Sequence, residues 1–277
     1  MELTMNKIEQ VLEDKSEDKK FTIVGCEKTR DKYLGKSFKT NRFGFVKVIE
    51  YTNAYNLLVE FSDGTVVSAR SGDLIRGEVK NPNQPNYFGI GFIGQGSHSL
   101  KTVAGVKWKS LMERGYSERY KELKPTYRDC TVDPKWHNFQ NFAEWAHTQR
   151  GLNEGFVLDK DLLHLGNKVY GDEYCCFLPK EINACISIKK SKNRDYLPVG
   201  VVEVYGGKFK AQCYTTGRQE FSIVTDNMDE AFIWYKNKKE GIFASLAREW
   251  KDLIEDSAYE ALINLRVKED GLYDIRK

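Results

Sequence analysis

The hydrophobic pattern of this chain changes its period twice, and this change constrains the fold more than any other feature. Between residues 21 and 82, short runs rich in Val, Ile, Leu and Phe alternate with turn residues. From residue 105 apolar and aromatic residues recur at helical spacing, and from residue 197 strand-like runs return. A period of two residues indicates strands and a period of about 3.6 indicates helices. We therefore predict an α+β multidomain fold.

Residues 21–82 are predicted to form a small N-terminal β barrel, after a polar stretch, residues 1–20, with a short helix and a linker. The strand candidates are FTIVGC, GFVKVIEY, NLLVEF and TVVSAR. The SDG at residues 62–64, between the last two, is a hairpin signal. Short strands at a spacing of about ten residues favour a barrel. The cadence resembles barrels of the Tudor and KOW types, which implies binding of nucleic acid or peptide, or a structural role.

Residues 83–104 form a connector rich in Gly, Asn and Pro. It contains four closely spaced glycines, Gly89, Gly91, Gly94 and Gly96. A phosphate-binding loop would end in Lys-Ser or Lys-Thr between a strand and a helix, and this run does neither. We therefore predict an ordered linker and expect no nucleotide cofactor.

Residues 105–190 carry aromatic residues at helical spacing and are predicted to form an α+β module. The first stripe comprises Trp108, Leu111, Met112 and Tyr116, and the second comprises Trp136, Phe139, Phe142, Ala143 and Trp145. A stripe of this kind is typical of a helix face that packs into a core. The polar stretch LDKDLLHLGNKVY, residues 158–170, follows the second stripe.

Residues 191–277 are predicted to form a three-stranded antiparallel sheet packed on a helix. The strand candidates are LPVGVVEVYGG, KFKAQCYTTG and QEFSIVTDN. Asp226 or Asn227 can cap a helix that starts near Met228, and we expect this helix to break near Gly241. A second helical piece, AYEALINLRV, is predicted to follow.

Alternate side chains of a strand share one face, so the second strand of this sheet has two different faces. Its polar face carries Lys208, Lys210, Gln212 and Tyr214, and its apolar face carries Phe209, Ala211 and Cys213. We expect Glu203 and Tyr205 to join the polar face, with Arg218 just beyond the strand. Such residues suit contacts with phosphates and major-groove base edges. An ordinary solvated face is the alternative.

About 45 residues of this last segment resemble the plant ethylene-response-factor type DNA-binding domain. The resemblance rests on four short matches, Gly200-Val201, Phe209-Lys210-Ala211, Glu230-Ala231 and Tyr235-Lys236. The third strand departs from the family, because FSIVTDN replaces the usual Leu-Gly-x-Phe. The resemblance implies a sheet laid into the major groove of double-stranded DNA. Its contact residues would be Lys208, Lys210, Gln212, Tyr214 and Arg218.

About 75 residues of the middle segment resemble phage proteins related to HNH homing endonucleases, some of which carry the same C-terminal domain. An HNH site is a strand pair and a helix around one divalent metal, with a His as general base. The resemblance places Asp159 at the metal-binding Asp, Lys160 at the general base and Tyr174 at the helical Asn. A lysine is a poor base beside a metal, and a tyrosine is a poor hard-metal ligand. We therefore expect a degenerate site without a cofactor.

A shifted metal site is the alternative for this stretch. Asp159 and Asp161 would then hold Mg²⁺ or Mn²⁺, and His164 would serve as the base. Asn167, Asn183 and His137 are other polar residues that the fold could bring near this site.

The stretch before the sheet domain is basic. Lys189, Lys190, Lys192 and Arg194 lie within SIKKSKNRDY, residues 187–196. Basic linkers of this kind often follow the phosphate backbone of DNA. A solvated linker is the alternative.

Bulk composition excludes several classes of protein. The formal net charge of +3 neither requires nor excludes nucleic acid. None of the six cysteines is part of a CxxC pair, so a zinc ribbon is not expected. The chain has no signal peptide and no apolar run of about 18 residues, so we predict a cytoplasmic protein with no membrane contact, in the host cytoplasm if phage-encoded.

Together these observations predict a phage-type protein that binds double-stranded DNA on a scaffold derived from an HNH homing endonuclease, without cleavage. One alternative is an active metal-dependent homing-type endonuclease. Another is a phage factor that binds or inhibits a host protein through an aromatic patch. The candidate anchors for that patch are Trp234, Tyr235, Phe243, Trp250 and Tyr259.

Overall fold

The computed structural model describes residues 29–187, 196–214 and 220–276. The chain divides into two compact units, residues 1–84 and 85–277, and each unit has its own hydrophobic core. Helices and several small, mainly antiparallel sheets are found together. The α+β class predicted from the changes of period is confirmed.

Unit 1, residues 1–84, contains a four-stranded antiparallel sheet whose strands pair in sequence order. Its elements are β1 (Ser37–Lys39), β2 (Phe45–Asn53), β3 (Asn56–Phe61), β4 (Val66–Ala69) and the short helix α1 (Ser71–Ile75). Val46 and Val48 of β2 and Leu57 and Val59 of β3 are buried, so one face of the sheet forms the core. The predicted SDG hairpin joins β3 to β4.

Closure of this sheet into a barrel stays a prediction. Among the described residues β1 pairs with β2 and β4 pairs with β3, and no pairing joins β4 to β1. The strand candidate FTIVGC, residues 21–26, lies outside the described residues. Strand β1 lies where the sequence pattern predicted none.

Unit 2, residues 85–277, has one continuous core that extends in sequence from Ala104 to Val267. Its first half contains α2 (Val103–Tyr116), α3 (Glu118–Leu123), β5 (Thr131–Val132), α4 (Phe139–Thr148), β6 (Val157–Asp159), β7 (Val169–Tyr170), β8 (Cys176–Leu178) and α5 (Lys180–Ile186). The five cysteines among the described residues are buried and form no disulfide bond.

The predicted aromatic stripes form the centre of this core. Trp108 of α2 is fully buried, and its ring meets Phe139 of α4 at a centroid distance of 5.6 Å. Its indole Nε1 donates to the Trp136 carbonyl at 2.7 Å. Each helix has a side-chain cap, since the Thr102 hydroxyl accepts from the third residue of α2 and Asn138 caps α4. The interpretation of these aromatics as core is confirmed.

The part of the glycine-rich connector that belongs to unit 2 packs against α4. The amide of Gln140, on α4, donates to the carbonyls of Ile93 and His98 at 3.3 and 3.1 Å, and its Oε1 accepts from the His98 N–H at 2.9 Å. A Cβ on Gly96 would lie 2.2 Å from that same Oε1. At this position glycine allows a buried side chain to approach the backbone closely.

A strand pair followed by a helix holds the polar stretch of residues 158–170. Strand β6 pairs with β8 in antiparallel register, and Asp159 lies opposite Cys176 at the end of β6. Helix α5 begins at Lys180, two residues after β8 ends. The loop between the two strands therefore starts at Asp159.

The second half of unit 2 contains the three-stranded antiparallel sheet and a long helix. Its elements are β9 (Val201–Val204), β10 (Lys208–Tyr214), β11 (Glu220–Thr225), α6 (Met228–Glu249), α7 (Asp256–Ile263), β12 (Leu265–Val267) and β13 (Tyr273–Ile275). Strand β10 lies in the middle of the sheet, and α6 packs on all three strands. The predicted sheet packed on a helix is present.

Two local predictions for this region were wrong. Helix α6 does not break at Gly241 but continues to Glu249, because Tyr235 and Phe243 are buried on either side of the glycine and hold the helix in the core. The end of the second helical piece, residues 265–267, is strand β12 paired with β13. Within the described residues no helix has the length and apolar character needed to cross a membrane.

Candidate functional site

The exposed face of the β9–β10–β11 sheet carries the predicted DNA-contacting residues. Ala211 and Cys213 of β10 are buried toward α6, so Lys208, Lys210, Gln212 and Tyr214 alternate onto the other face. Cross-strand neighbours complete this surface, which we call the outer sheet face. They are Val202 and Val224 beside Lys210, Ser222 beside Gln212, Glu220 beside Tyr214 and Val204 beside Lys208.

Lys208 forms an ion pair with Asp226. Lys208 Nζ is 3.3 Å from a carboxylate oxygen of Asp226, but Asp226 is highly exposed, so this pair is weak. The Tyr214 ring is half exposed, at 50%. The outer sheet face therefore combines cations, an amide and an accessible aromatic ring.

The expectation that Glu203 shares this face was wrong. Glu203 pairs with Phe209 across the strands, so its side chain projects to the side opposite Lys208 and Lys210. Its carboxylate accepts the Tyr196 hydroxyl at 2.9 Å. Tyr205 lies in the turn after β9 and is fully exposed. Glu203 therefore does not belong to the outer sheet face.

The remaining predicted DNA contacts cannot be placed on this surface. Arg218, Lys189, Lys190, Lys192 and Arg194 all lie outside the described residues.

The predicted aromatic anchors belong to the core or pack against it. Phe243 and Tyr235 are buried, and Trp234, Trp250 and Tyr259 are half-buried against the same cluster. The Trp250 indole donates to Glu181. These residues do not form the exposed patch that the protein-interaction alternative needs.

Asp159 is a buried carboxylate held by the backbone of its own loop. Its Oδ1 accepts the N–H groups of Asp161 and Leu162 at 3.0 and 2.8 Å. Burial raises the pKa of Asp159 above its ordinary value of 3.8, and the opposing effect of the two amides is smaller. The carboxylate is therefore more costly to ionise in the folded protein than in water.

The buried side chain of Lys160 links Asp161 to Asn167 within this loop. Its side chain is only 7% exposed, and its Nζ donates to Asp161 Oδ1 at 2.6 Å and to the Asn167 carbonyl at 2.9 Å. The Nδ2 of Asn167 donates hydrogen bonds to the carbonyls of Lys160 and Val169. The residue at the predicted general-base position thus serves as a structural cation.

The candidate catalytic residues divide between separate cavities. Asp159 and Asp161 line one polar cavity of about 290 Å³, which we call the Asp159 cavity. His164 lines another cavity, of about 480 Å³, and its ring packs edge-on against Tyr174. The two aspartates therefore line the same cavity, and His164 lines a different one.

The resemblance placed Tyr174 at a helical position, which the structure does not show. Tyr174 lies in a turn before β8, whereas Asn183 lies on α5 and lines the Asp159 cavity. Arg114, Tyr127 and Tyr170 line it as well, and sequence reasoning did not identify them. The one sequence signal for Arg114 is its position on α2, next to the buried aromatic stripe.

The donors around Asp159 do not fit the divalent metal that the resemblance implies. Asp161 is occupied by the Lys160 ammonium, and one Asp159 oxygen is taken by two backbone amides. In the described part of the chain no group of three His, Cys, Asp or Glu side chains is arranged to hold a metal ion.

Replacement of Asp159 by Asn tests the state of this carboxylate. A folded pKa above the unfolded value means that protonated Asp159 stabilises the fold below the unfolded pKa, and that this stability is lost as the pH rises through the folded pKa. Asn is neutral throughout and keeps an oxygen acceptor. We expect Asp159→Asn to match the wild type near pH 3 and to be more stable near pH 7. Urea unfolding across this pH range measures the difference.

Asp161→Asn is the matched control for that experiment. It leaves the buried Lys160 ammonium without its carboxylate, so its stability near pH 7 should fall. If Asp159→Asn is less stable than the wild type near pH 7, the ionised carboxylate is stabilised in the fold, as a bound cation would do.

No family model, curated protein or solved structure matches the chain. The resemblances to ethylene-response-factor domains and to HNH proteins therefore stay predictions.

Proposed function

We propose that this protein binds double-stranded DNA through its outer sheet face, on a scaffold related to phage HNH homing endonucleases, and does not cleave the DNA. The alternation along β10 carries the proposal. Lys208, Lys210, Gln212 and Tyr214 project together from one face, while α6 covers the other. A sheet supported in this way can enter a major groove as a rigid surface.

Each residue type has a distinct role in this proposal. Lys208 and Lys210 neutralise phosphates and position the sheet. Gln212 lies at the centre of β10 and can pair with an adenine edge through both its amide atoms. The half-exposed Tyr214 offers a hydroxyl to the phosphate backbone and a ring surface to the sugar.

The strand pair β6–β8 followed by α5 supports the relation to HNH proteins, because this is the order of elements that such a site uses. The placement of Lys160 and His164 supports the absence of cleavage. Lys160 is engaged by Asp161, and His164 lines a different cavity from Asp159.

A salt titration tests the binding. Fluorescence anisotropy with a labelled random-sequence duplex should give an affinity that falls steeply as the salt concentration rises. The double variant Lys208→Gln, Lys210→Gln should bind about tenfold to a hundredfold more weakly, and its salt slope should fall by about two. Lys251→Gln with Lys268→Gln is the matched control, because both lysines lie outside the sheet.

Three results would count against the proposal. No binding at any salt would exclude DNA as the ligand of this chain. Equal loss in both double variants would remove the sheet from the interface. Nicks that appear with Mg²⁺ or Mn²⁺ and disappear in Asp159→Ala would favour the endonuclease alternative.

A further inference from the structure

Arg114 is the feature of unit 2 that neither the fold nor the proposed function explains. It lies on α2, with its Nε inaccessible to solvent and without a hydrogen-bond partner. Its Nη1 makes one long bond, 3.4 Å, to the Tyr170 hydroxyl, and its guanidinium lies 5.6 Å from the centre of the Tyr127 ring. No carboxylate of the described residues forms an ion pair with it.

A half-buried guanidinium whose Nε has no hydrogen-bond partner and which has no carboxylate beside it is costly. Arginine keeps its charge in proteins, so it cannot reduce the free-energy cost of desolvation by losing a proton. Two phenols satisfy little of this charge. The arrangement is typical of a cation that an anionic ligand completes.

The Asp159 cavity that Arg114 lines carries an excess of positive charge. Lys160 and Lys168 line it together with Arg114, against Asp159 and Asp161. Asp161 is already paired with Lys160, and Asp159 faces two backbone amides. Lys160 uses two of its three donors within the protein, which leaves one for a ligand.

An apolar cavity of about 630 Å³ adjoins this charged one. The two share Thr126, Asp159, Asp161 and Ser187 among their lining residues. Leucine side chains and Tyr273 line the larger cavity. The two cavities together thus have a cationic end and an apolar end. The volume of the Asp159 cavity alone is close to the lower limit for small-molecule sites.

We propose that the Asp159 cavity binds a phosphate group, with Arg114, Lys160 and Lys168 as its cationic ligands and with the organic part of a phosphate ester in the adjoining apolar cavity. The phosphate belongs either to a free nucleotide-sized ester or to the 5′ end of a DNA strand. The proposal is independent of DNA binding by the outer sheet face.

Calorimetric titration of the full chain at constant ionic strength tests this site. The ligands are inorganic phosphate, deoxyadenosine monophosphate and chloride. We expect the monophosphate to bind more tightly than inorganic phosphate, because only the ester reaches the apolar cavity. Chloride should give no saturable heat.

Arg114→Gln should weaken both phosphate ligands about tenfold or more. The control is Arg119→Gln, an exposed arginine outside the cavity, which should bind like the wild type. Should Arg114→Gln fail to fold, Lys168→Gln replaces it, because Lys168 is exposed but lines the same cavity and should cost about threefold in affinity.

A pair of duplexes, with and without a 5′-phosphate, separates the two sources of phosphate. Tighter binding of the phosphorylated duplex, lost in Arg114→Gln, assigns the cavity to DNA ends, and equal binding assigns it to the free ester. Equal responses of the wild type, Arg114→Gln and Lys168→Gln to phosphate would overturn the proposal. The Lys208, Lys210 variant should keep full phosphate binding, so loss of one function does not mimic loss of the other.

Discussion

Trp108→Ala is expected to destabilise unit 2 by about 3–5 kcal/mol, the usual cost of removing a fully buried large aromatic side chain. Its indole fills the space between α2 and α4, where the Tyr87 and Phe139 rings pack edge-on against it. The substitution also leaves the Trp136 carbonyl without its donor. A loss of this size is a large part of the stability of an ordinary domain.

The distribution of tryptophan makes this result specific to one unit. All five tryptophans follow residue 84 in the sequence, so their fluorescence reports on unit 2 alone. Trp108→Phe is the matched control, because it keeps most of the volume and should cost less. Unfolding midpoints equal to that of the wild type would show that the α2–α4 contact does not support the core.

Gly200→Ala is expected to be the second most damaging change, at about 2–5 kcal/mol, because it combines a strained backbone with a steric clash. Gly200 has a φ of +77°, where a residue with a side chain is strained. A Cβ at this position would also lie 2.2 Å from the ring of the buried Tyr235 on α6. Gly200 directly precedes β9 of this sheet, so the proposed DNA binding should weaken too.

Gly206→Ala separates the two contributions. Gly206 has a similar φ of +84°, but nothing lies within 4 Å of the Cβ that it would gain. It should therefore show the backbone cost alone, about 1–2 kcal/mol. Equal denaturation midpoints for the two variants would mean that the Tyr235 ring moves aside without cost.

Periodicity and capping predicted most of unit 2. The stripe containing Trp108 became a buried helix face, and Asn227 caps α6 with its Oδ1 accepting from the Glu230 N–H at 3.0 Å. Gly241 misled the prediction because a helical glycine costs only about 1 kcal/mol, which burial of Phe243 outweighs. Local sequence signals therefore predict that a helix is present, but they can misplace the residue at which it ends.

The candidate site was predicted only where it is local. Asp159 and Asp161 share a cavity because they lie two residues apart at the end of one strand. His164 lines another cavity, and the buried Leu162 lies between it and Asp161 in the sequence. Arg114 comes from a distant helix, and no pattern near Asp159 indicates which helix will face it.

The register between β9 and β10 could not be predicted from the sequence either. Lys210 and its alternation were correct because they lie within one strand. Glu203 was misplaced because its face depends on which residue of β10 it opposes, and the turn between the strands decides that.

The continuous core of unit 2 has a consequence for synthesis. The Phe156 ring meets Trp250 at 5.6 Å, and Arg150 donates to the Ile254 carbonyl across about a hundred residues of chain. A ribosome releases Arg150 and Phe156 well before Trp250 and Ile254 emerge to contact them. The growing chain must therefore hold a partly exposed aromatic surface during that interval, and a chaperone that recognises apolar segments has its natural opportunity there.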